Sequence, residues 1–385
     1  MSDLDLFSAH RIGGQTLTSK VELDETLRDI AQSADYEFTG ESTFKVPSFV
    51  PPTDFSIGVI VGSSGTGKSS LLRHFGESPN FTWVSSRAVA SQVDPHALMR
   101  VGLSSIPSLC RPYHVLSEGE KHRAEIARTL EEGVRVIDEF TSVVHRDLAM
   151  SISIGLRKAV DAQNIRGLVL ATCHEDVVEW LEPDWVINTN TGTLVEGRSV
   201  RQGIDLEIAP CTTKDWSFFS PHHYLTSEIS KSARCWVAKI NGRPCAFASV
   251  LPLVGVIKRA WREHRTCVHP DFQGMGIGSK VSEAIAQMHI NEGLRFFSKT
   301  AHPAFGEHRN RSPKWRGTAE NSKDRKGYLR RLGRSRSGYG ITDETLKKHA
   351  HRVCYAHEYI GEGGEEITLP KEREANVEVA QGMLF

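Results

Sequence analysis

The stretch IGVIVGSSGTGKSSLL, residues 57–72, constrains the fold more than any other part of the chain. A run of β-branched apolar residues precedes GSSGTGKS, which matches the pattern GxxxxGK[ST], and residues that favour a helix follow. In this order, backbone N–H groups of the loop surround phosphate groups at the N-terminus of the helix. The pattern predicts that Lys68 contacts the β and γ phosphates of a nucleotide and that Ser69 binds Mg²⁺. The other loop residues predicted to bind phosphate are Gly62, Ser63, Gly65, Thr66, Gly67 and Ser70.

Two later apolar runs end in residues suited to nucleotide hydrolysis. VRVIDEF, residues 134–140, ends in a pair of carboxylates. We expect Asp138 to order the magnesium shell and Glu139 to polarise the attacking water. LVLATCHED, residues 168–176, places His174 at the end of another run, where an imidazole is a candidate hydrogen-bond partner of the γ-phosphate.

A fourth segment, LSEGEKHRAEIARTL at residues 116–130, lies between the glycine loop and the acidic pair. The four elements in this order resemble the ABC-type ATPase family over about residues 40–200. The resemblance implies that Ser117 and Gly119 close over the γ-phosphate held by the partner subunit's Lys68. ATP would then lie between the two halves of a homodimer that reopens on hydrolysis. Gln92 is the nearest candidate for the glutamine that senses magnesium in this family.

Three departures from the family pattern stand out. LSEGE replaces the usual LSGGQ, and we expect the carboxylates of Glu118 and Glu120 to lower nucleotide affinity or slow turnover. His145 stands where the family usually carries an aspartate. Only about 50 residues separate Lys68 from Ser117, roughly half the interval in transporter cassettes, which normally holds the subdomain that contacts the membrane partner. The short interval argues against transport.

The second half of the chain changes pattern near residue 205, where turn residues replace the alternation of strands and helices. CWVAKINGRPCAFASVLPL, residues 235–253, predicts two strands joined at Asn241–Gly242. A strand over about Glu263–Val268 then leads into the glycine-rich QGMGIG and a helix with periodic apolar residues. Free N–H groups at the start of this helix favour binding of a pyrophosphate.

The fuller string VHPDFQGMGIGS resembles the GNAT acyltransferase family, whose [QR]xxGx[GA] loop binds the pyrophosphate of acetyl-CoA. The matching positions and their neighbours are Gln273, Gly274, Met275, Gly276, Ile277 and Gly278. The resemblance implies that the next strand, in LRFFSKTAHPAF at residues 294–305, separates from its neighbour, with the thioester in the gap. HRVCYAHEYIG, residues 351–361, is expected to be a late strand.

The general base and acid of this family have no fixed positions, so their candidates follow from chemistry alone. A base near neutral pKa would deprotonate an amine, and a tyrosine or thiol would protonate the leaving thiolate. The candidates are His269, Ser298, His302 and Tyr328.

Charge is unevenly distributed along a chain with 47 basic and 47 acidic residues. Residues 299–352 contain fifteen Lys or Arg and five Asp or Glu, interleaved with aromatic residues. This composition favours contact with nucleic acid that has accessible bases. The alternative is a surface segment whose charges are balanced by acidic residues elsewhere. The predicted contacts are Arg309, Arg311, Lys314, Trp315, Arg316, Lys326, Arg330, Arg331, Arg334 and Arg336.

Other features narrow the class of protein. The longest apolar runs fall short of the roughly 20 residues that a membrane span needs. The first residues lack the apolar core of a secretory signal, and the seven cysteines form no CxxC pair. We therefore expect a cytoplasmic protein with reduced thiols. QGMLF, Gln381–Phe385, resembles the pentapeptide by which bacterial DNA enzymes dock on the replication sliding clamp.

The predicted fold class is α/β, with an N-terminal P-loop ABC-type ATPase domain and a C-terminal GNAT-fold (α+β) acyltransferase domain. The expected divisions are an extension at 1–39, the ATPase domain at 40–205, the acyltransferase domain at 206–362 with a basic insertion at 306–340, and a flexible tail at 363–385. This pairing resembles phage and bacterial fusions related to Mom-type DNA modification. It implies ATP-dependent transfer from acetyl-CoA, or a related acyl-CoA, onto a nucleic-acid base amine, with DNA favoured over RNA. The alternatives are acetylation of tRNA or another RNA, protein N-acetylation, and a non-catalytic nucleic-acid clamp.

Overall fold

The computed structural model describes residues 10–223, 227–255, 257–324, 353–361 and 380–384, with only the backbone for 323–324 and 380–384. The chain divides into two compact units, unit 1 with residues 1–103 and 108–202 and unit 2 with residues 104–107 and 203–385. The division after residue 202 is close to the boundary expected near residue 205. The predicted site residues outside the described ranges are Lys326, Tyr328, Arg330, Arg331, Arg334, Arg336 and Phe385.

The elements of residues 10–202 are a short N-terminal group and then strands that are mostly separated in the chain by helices. In chain order they are β1 (Ile12–Gly13), β2 (Thr16–Lys20), α1 (Glu25–Ser33), β3 (Glu41–Lys45), β4 (Ser48–Phe49), β5 (Ile57–Val61), α2 (Lys68–Leu72), α3 (Pro95–Arg100), α4 (Ile106–Leu109), α5 (Glu118–Glu131), β6 (Val136–Ile137), α6 (Arg146–Gln163), β7 (Leu168–Thr172), α7 (Val177–Leu181), β8 (Trp185–Asn188) and β9 (Thr193–Glu196).

The central sheet of unit 1 has the strand order β6-β7-β5-β8-β9. The first four strands in this order are parallel, and β9 is antiparallel to β8. Every residue of β5 and β7 is buried, as expected for parallel strands covered on both faces. Trp185 fills the core beside β5, where a Cβ on Gly58 would lie only 2.1 Å from its Cζ2 atom. The absence of a side chain at residue 58 therefore makes room for the indole.

The N-terminal strands belong to unit 1. Strand β1 pairs with β4, and β2 pairs with β3 over five positions from Thr16↔Lys45 to Lys20↔Glu41. Each of these pairs therefore joins a strand from before the expected division at 39–40 to a strand from after it.

Unit 2 is built around one long sheet. Its elements are β10 (Ile204–Cys211), α8 (Trp216–Phe219), β11 (Arg234–Ile240), β12 (Arg243–Pro252), β13 (Ala260–Val268), α9 (Ile277–Asn291), β14 (Arg295–Thr300), α10 (Pro303–Arg311), β15 (Trp315–Gly317), β16 (Lys323–Asp324), β17 (Val353–Tyr359) and β18 (Ala380–Leu384).

The strand order in this sheet is β15-β17-β14-β13-β12-β11-β10-β18, and β16 also pairs with β17. The predicted hairpin is confirmed, because β11 and β12 are antiparallel and joined at Asn241 and Gly242, whose φ angles are 50° and 75°. Strands β13 and β14 are parallel, and the other pairs are antiparallel.

The structure differs from two expectations about the second half of the chain. Part of the predicted basic insertion is folded onto the sheet, since β15 and β16 pair with β17. Five residues of the predicted flexible tail form β18, which pairs with β10 from Ile204↔Leu384 to Ile208↔Ala380. Within the described ranges, no helix is long and apolar enough to cross a bilayer.

Candidate functional site

Three predicted motifs of unit 1 lie at one edge of its sheet. Strands β5, β6 and β7 are parallel, so their carboxyl ends meet at the same edge. The glycine loop follows β5, Asp138 and Glu139 follow β6, and His174 comes two residues after β7. Residues from three separate parts of the sequence are thereby brought to one edge.

The glycine loop has the features that a phosphate group requires. Gly65 and Gly67 have φ angles of 80° and 83°, a region that favours glycine. A Cβ at Gly65 would meet nothing within 4 Å, so this side of the loop is open. Lys68 is buried, and its Nζ donates to Ser63 O at 2.8 Å. An open loop with a buried ammonium at the start of α2 fits a nucleotide phosphate. Ser69 and Ser70 follow in α2.

The turn between β8 and β9 supports this loop. Thr189 Oγ1 lies 2.6 Å from Thr66 Oγ1, and Asn190 Oδ1 accepts a hydrogen bond from Ser63 N at 3.2 Å. A Cβ at Gly62 would lie 2.1 Å from Thr189 Oγ1, so the turn also requires glycine there. Thr189 and Asn190 belong to no sequence motif and lie 123 and 127 positions from their partners in the loop, so the sequence gives no signal for them.

The backbone after β6 is held in an unusual conformation. Glu139 and Thr141 have φ angles of 51° and 68°, where non-glycine residues are uncommon. The buried Phe140 between them donates from its N–H to Ala171 O at 2.8 Å. Glu139 N donates to Asp138 Oδ1 at 2.9 Å. Conformations of this kind persist where the surroundings fix them and are concentrated at functional sites.

His174 contacts the same segment. Its Nδ1 lies 3.2 Å from Thr141 Oγ1, whose proton is donated to Phe140 O at 2.6 Å. The hydroxyl therefore accepts from Nδ1–H, which leaves Nε2 without a proton in the neutral ring. Burial and the nearby Arg146 lower the pKa of His174, and Glu139 partly opposes them. A hydrogen bond from Nε2 to a γ-phosphate therefore requires a second proton or the other tautomer.

Ser117 and Glu120 form the N-terminal cap of α5. Ser117 Oγ accepts from Glu120 N at 3.4 Å, and Glu120 Oε2 accepts from Ser117 N at 2.9 Å. Burial raises the pKa of Glu120, but hydrogen bonds from Ser108 and Ser117 outweigh it and lower the pKa. Glu118 is exposed and pairs with Lys121 at 2.6 Å. Of the two carboxylates expected to weaken nucleotide binding, Glu120 therefore has a capping role within its own chain.

Gly119 and Gln92 are each fixed by local packing or hydrogen bonds. A Cβ at Gly119 would lie 2.2 Å from Leu148 Cδ2, so the glycine allows α5 to approach α6. The Gln92 side chain accepts from Val84 N at 2.8 Å and donates to Arg87 O at 2.9 Å. Its predicted role toward magnesium would require release of these bonds, and it stays a prediction.

In unit 2, the strands β13 and β14 separate as predicted. They pair at Ala260↔Arg295, Trp261↔Phe296 and Arg262↔Phe297, and both strands continue without further pairing. At the same level, the register between β12 and β13 shifts between Ser249 and Val250. A gap between the two strands is therefore present where the resemblance placed the thioester.

The predicted pyrophosphate loop follows β13. Gly274 and Gly276 have φ angles of 91° and 88°, and Gly276 is the N-cap of α9 with no side-chain hydrogen bond at the cap. The first N–H groups of this fifteen-residue helix are thus not satisfied by a capping side chain, which fits an anionic ligand. Gln273 Nε2 donates to Val268 O at 3.1 Å. The side chains of Met275 and Ile277 are buried.

The three described candidates for acid and base have different surroundings. Ser298 is buried, and its hydroxyl donates to Glu263 and accepts from Arg309, so it is not free to protonate a leaving group. His302 N donates to Thr300 Oγ1 at 3.0 Å, and burial lowers the pKa of the imidazole. His269 stacks on Phe218 with ring centroids 5.2 Å apart.

The described basic residues are mostly paired within unit 2. Arg309 is 2% exposed, and Trp315 is buried beneath it with the guanidinium 4.5 Å from the ring centre. The predicted nucleic-acid contacts at these two residues are therefore wrong for this fold, because neither side chain reaches the surface. Lys314 pairs with Glu283 at 3.8 Å and Arg316 with Glu358 at 2.8 Å. Arg311 is exposed.

Because His357 is buried, we expect the stability of unit 2 to fall at acid pH. Burial, and then the nearby Arg309, lower its pKa from 6.5 to about 4. Between pH 6.5 and 4 the unfolded chain binds a proton here and the folded chain does not, so stability present above pH 6.5 is lost as the pH falls. His357→Gln retains an N–H for Asn310 Oδ1, which the imidazole Nε2 contacts at 2.8 Å, and should flatten this dependence. Thermal unfolding of both proteins at pH 7, 5 and about 4 measures the effect, and equal slopes would contradict it.

Comparison with known proteins identifies one part of the chain. Residues 231–310 match the family model of the acetyltransferase (GNAT) domain. No curated protein matches the chain significantly. The match contains the β11–β12 hairpin, the separated strands and the glycine loop, and it ends within α10.

Solved structures resemble each half only weakly. The ribosomal-protein-S18-alanine N-acetyltransferase from Escherichia coli is 15% identical, with 44% of this chain and 99% of that chain covered and a TM-score of 0.29. A dimeric ATP-binding cassette in a post-hydrolysis state with ADP and phosphate is 15% identical, with coverages of 49% and 99% and a TM-score of 0.35. An ABC transporter component from Clostridium perfringens is 20% identical, with coverages of 42% and 85% and a TM-score of 0.31. The chain is therefore a mixed α/β protein of which residues 231–310 are similar to the acetyltransferase (GNAT) domain.

Proposed function

We propose that this protein transfers an acyl group from acetyl-CoA, or a related acyl-CoA, to an amine, and that unit 1 binds and hydrolyses ATP. The observation that carries the transfer is the strand separation beyond Arg262↔Phe297, followed by the glycine loop at the uncapped start of α9. Free amides at a helix N-terminus would hold the pyrophosphate, and the gap between β13 and β14 would admit the thioester arm.

The ATP part of the proposal is supported by the edge of the unit 1 sheet. The open loop with Lys68, the carboxylates of Asp138 and Glu139, and His174 follow three adjacent parallel strands. These residue types suit binding of a magnesium nucleotide and activation of water. Closure of two copies over ATP, with Ser117 and Gly119 facing the partner's phosphate, follows from the resemblance to ABC-type ATPases.

The proposed acceptor is an amine of a nucleic-acid base, with DNA as the first choice. Of the fifteen basic residues in 299–352, ten lie in residues 323–352, against three acidic residues there. A concentration of positive charge attracts the phosphate backbone irrespective of sequence. The paired residues Arg309, Lys314 and Arg316 do not contribute to this argument.

Incubation of the full chain with labelled acetyl-CoA tests the proposal. Duplex DNA, tRNA and a protein mixture are supplied separately, each with and without magnesium ATP. We expect label in DNA, more of it with ATP, and none in reactions that lack the protein. Label in tRNA alone would change the acceptor, and label in protein alone would overturn the nucleic-acid proposal. No transfer to any acceptor would contradict the catalytic role.

A further inference from the structure

An ion pair between the buried Arg309 and the mostly buried Glu263 lies where β13 and β14 part. Arg262↔Phe297 is the last paired position, and the next residue in each strand is Glu263 and Ser298. Backbone pairing is replaced there by a side-chain hydrogen bond from Ser298 Oγ to Glu263 Oε2. Arg309 on α10 donates to both oxygens of Glu263, at 2.9 and 3.0 Å. Ser282 on α9 donates to Glu263 Oε1 at 2.5 Å.

We call Glu263, Ser282, Ser298 and Arg309 the strand lock. Arg309 also donates to both serine hydroxyls, so each hydroxyl accepts from the arginine and donates to the carboxylate. The bonds join β13, β14, α9 and α10 around one carboxylate. Both oxygens of Glu263 already accept two bonds each, so the carboxylate has no free position from which to take a proton from an amine.

Phe305 lies between the strand lock and the predicted pyrophosphate loop. The Arg309 guanidinium lies 5.2 Å from the Phe305 ring centre and 4.5 Å from that of Trp315. A Cβ at Gly278 would lie 2.6 Å from Phe305 Cζ, so the loop packs directly on this ring. A movement of Arg309 would therefore disturb both the strand gap and the glycine loop.

We propose that the strand lock is a positioning element that fixes the width of the gap between β13 and β14 and the place of the Gln273–Gly278 loop, and so sets the affinity for acyl-CoA. This rests on the acyl-CoA binding proposed above. Removing the ion pair leaves the strands with only three paired positions to hold their separation. A gap of fixed width lowers the entropy lost when the pantetheine arm is ordered.

Calorimetric titration of the full chain with acetyl-CoA, combined with thermal unfolding, tests this role. The variants are Glu263→Gln, Arg309→Lys, and the double replacement Glu263→Leu with Arg309→Met. The single changes are expected to lower the unfolding temperature and to weaken acetyl-CoA binding by on the order of 10- to 100-fold. The double change removes both buried charges, so it should regain stability relative to Glu263→Gln. Glu292→Gln breaks an exposed ion pair with Arg234 at the end of α9 away from the glycine loop, so it is the matched control and should bind normally.

The double variant separates positioning from simple stabilisation. If the strand lock positions the ligand, the unfolding temperature recovers and the affinity does not. If the unfolding temperature and the affinity both recover, the strand lock only stabilises the fold and the proposal is overturned. Arg309→Lys keeps the charge and loses the planar fork, so normal affinity in a folded Arg309→Lys protein would also overturn it. If the unsubstituted protein binds no acetyl-CoA, the proposed function fails as well; if it binds and no variant changes the affinity, only the lock fails.

Discussion

Glu139→Gln is expected to lower ATP turnover by about 10²- to 10⁴-fold while ATP binding persists. The glutamine keeps the size of the side chain and loses the charge that polarises the attacking water. Lys68 and the glycine loop are unchanged, so nucleotide affinity should stay close to that of the unsubstituted protein. Phosphate release and ATP titration, measured on the same preparations, separate the two quantities.

Glu179→Gln is the matched control, because this carboxylate is exposed on α7. It should leave turnover unchanged. With hydrolysis blocked, magnesium ATP should shift the Glu139→Gln protein toward a dimer in size-exclusion chromatography. Full turnover in this variant would remove Glu139 from the reaction, and loss of ATP binding would show that the residue acts on the loop instead.

Gly276→Val is expected to weaken acetyl-CoA binding by about tenfold or more, because a β-branched residue is strained by roughly 1–3 kcal/mol in the left-handed region. Gly276 has a φ of 88° at the cap of α9. The loop relieves this strain by leaving the conformation that directs its amides at one point. Calorimetric titration with acetyl-CoA measures the loss.

Gly293→Val provides a control with similar backbone strain. Gly293 has a φ of 69° just beyond the other end of the same helix. Its replacement should lower the unfolding temperature by a similar amount and leave acetyl-CoA affinity unchanged. If both variants lose affinity equally, the effect comes from destabilisation of α9, and the loop has no special role.

The sequence predicts those parts of the two candidate sites that are formed by residues close together in the chain. A glycine loop between a strand and a helix contains its own turn geometry, and the positive φ angles of Gly65, Gly67, Gly274 and Gly276 agree with this. The β11–β12 hairpin was equally readable, since Asn241–Gly242 specifies the turn. In these loops and in this turn, the residues that determine the backbone conformation are neighbours in the sequence.

The parts that were missed depend on contacts between distant residues. Glu263 and Arg309 are separated by 46 positions, so no local pattern shows that they pair, and Arg309 was predicted to contact nucleic acid. Thr141 and His174 come together only because β6 and β7 are neighbours in the sheet. Glu120 was predicted only to lower nucleotide affinity or slow turnover, although serine followed three residues later by glutamate is a capping pattern that the sequence displays.

The C-terminal strand changes how the predicted docking peptide has to be studied. Deleting residues 381–385 would remove the peptide, and it would also strip a strand from β10 and leave that strand's N–H and C=O groups unpaired. The same residues cannot pair with β10 and bind another protein at the same time. Binding of the C-terminus by a partner and pairing of β18 with β10 are therefore competing equilibria. Side-chain replacements at Gln381 and Leu384 remove the docking signal and still allow the backbone of β18 to pair with β10. They therefore separate loss of docking from loss of the edge strand, whereas truncation causes both.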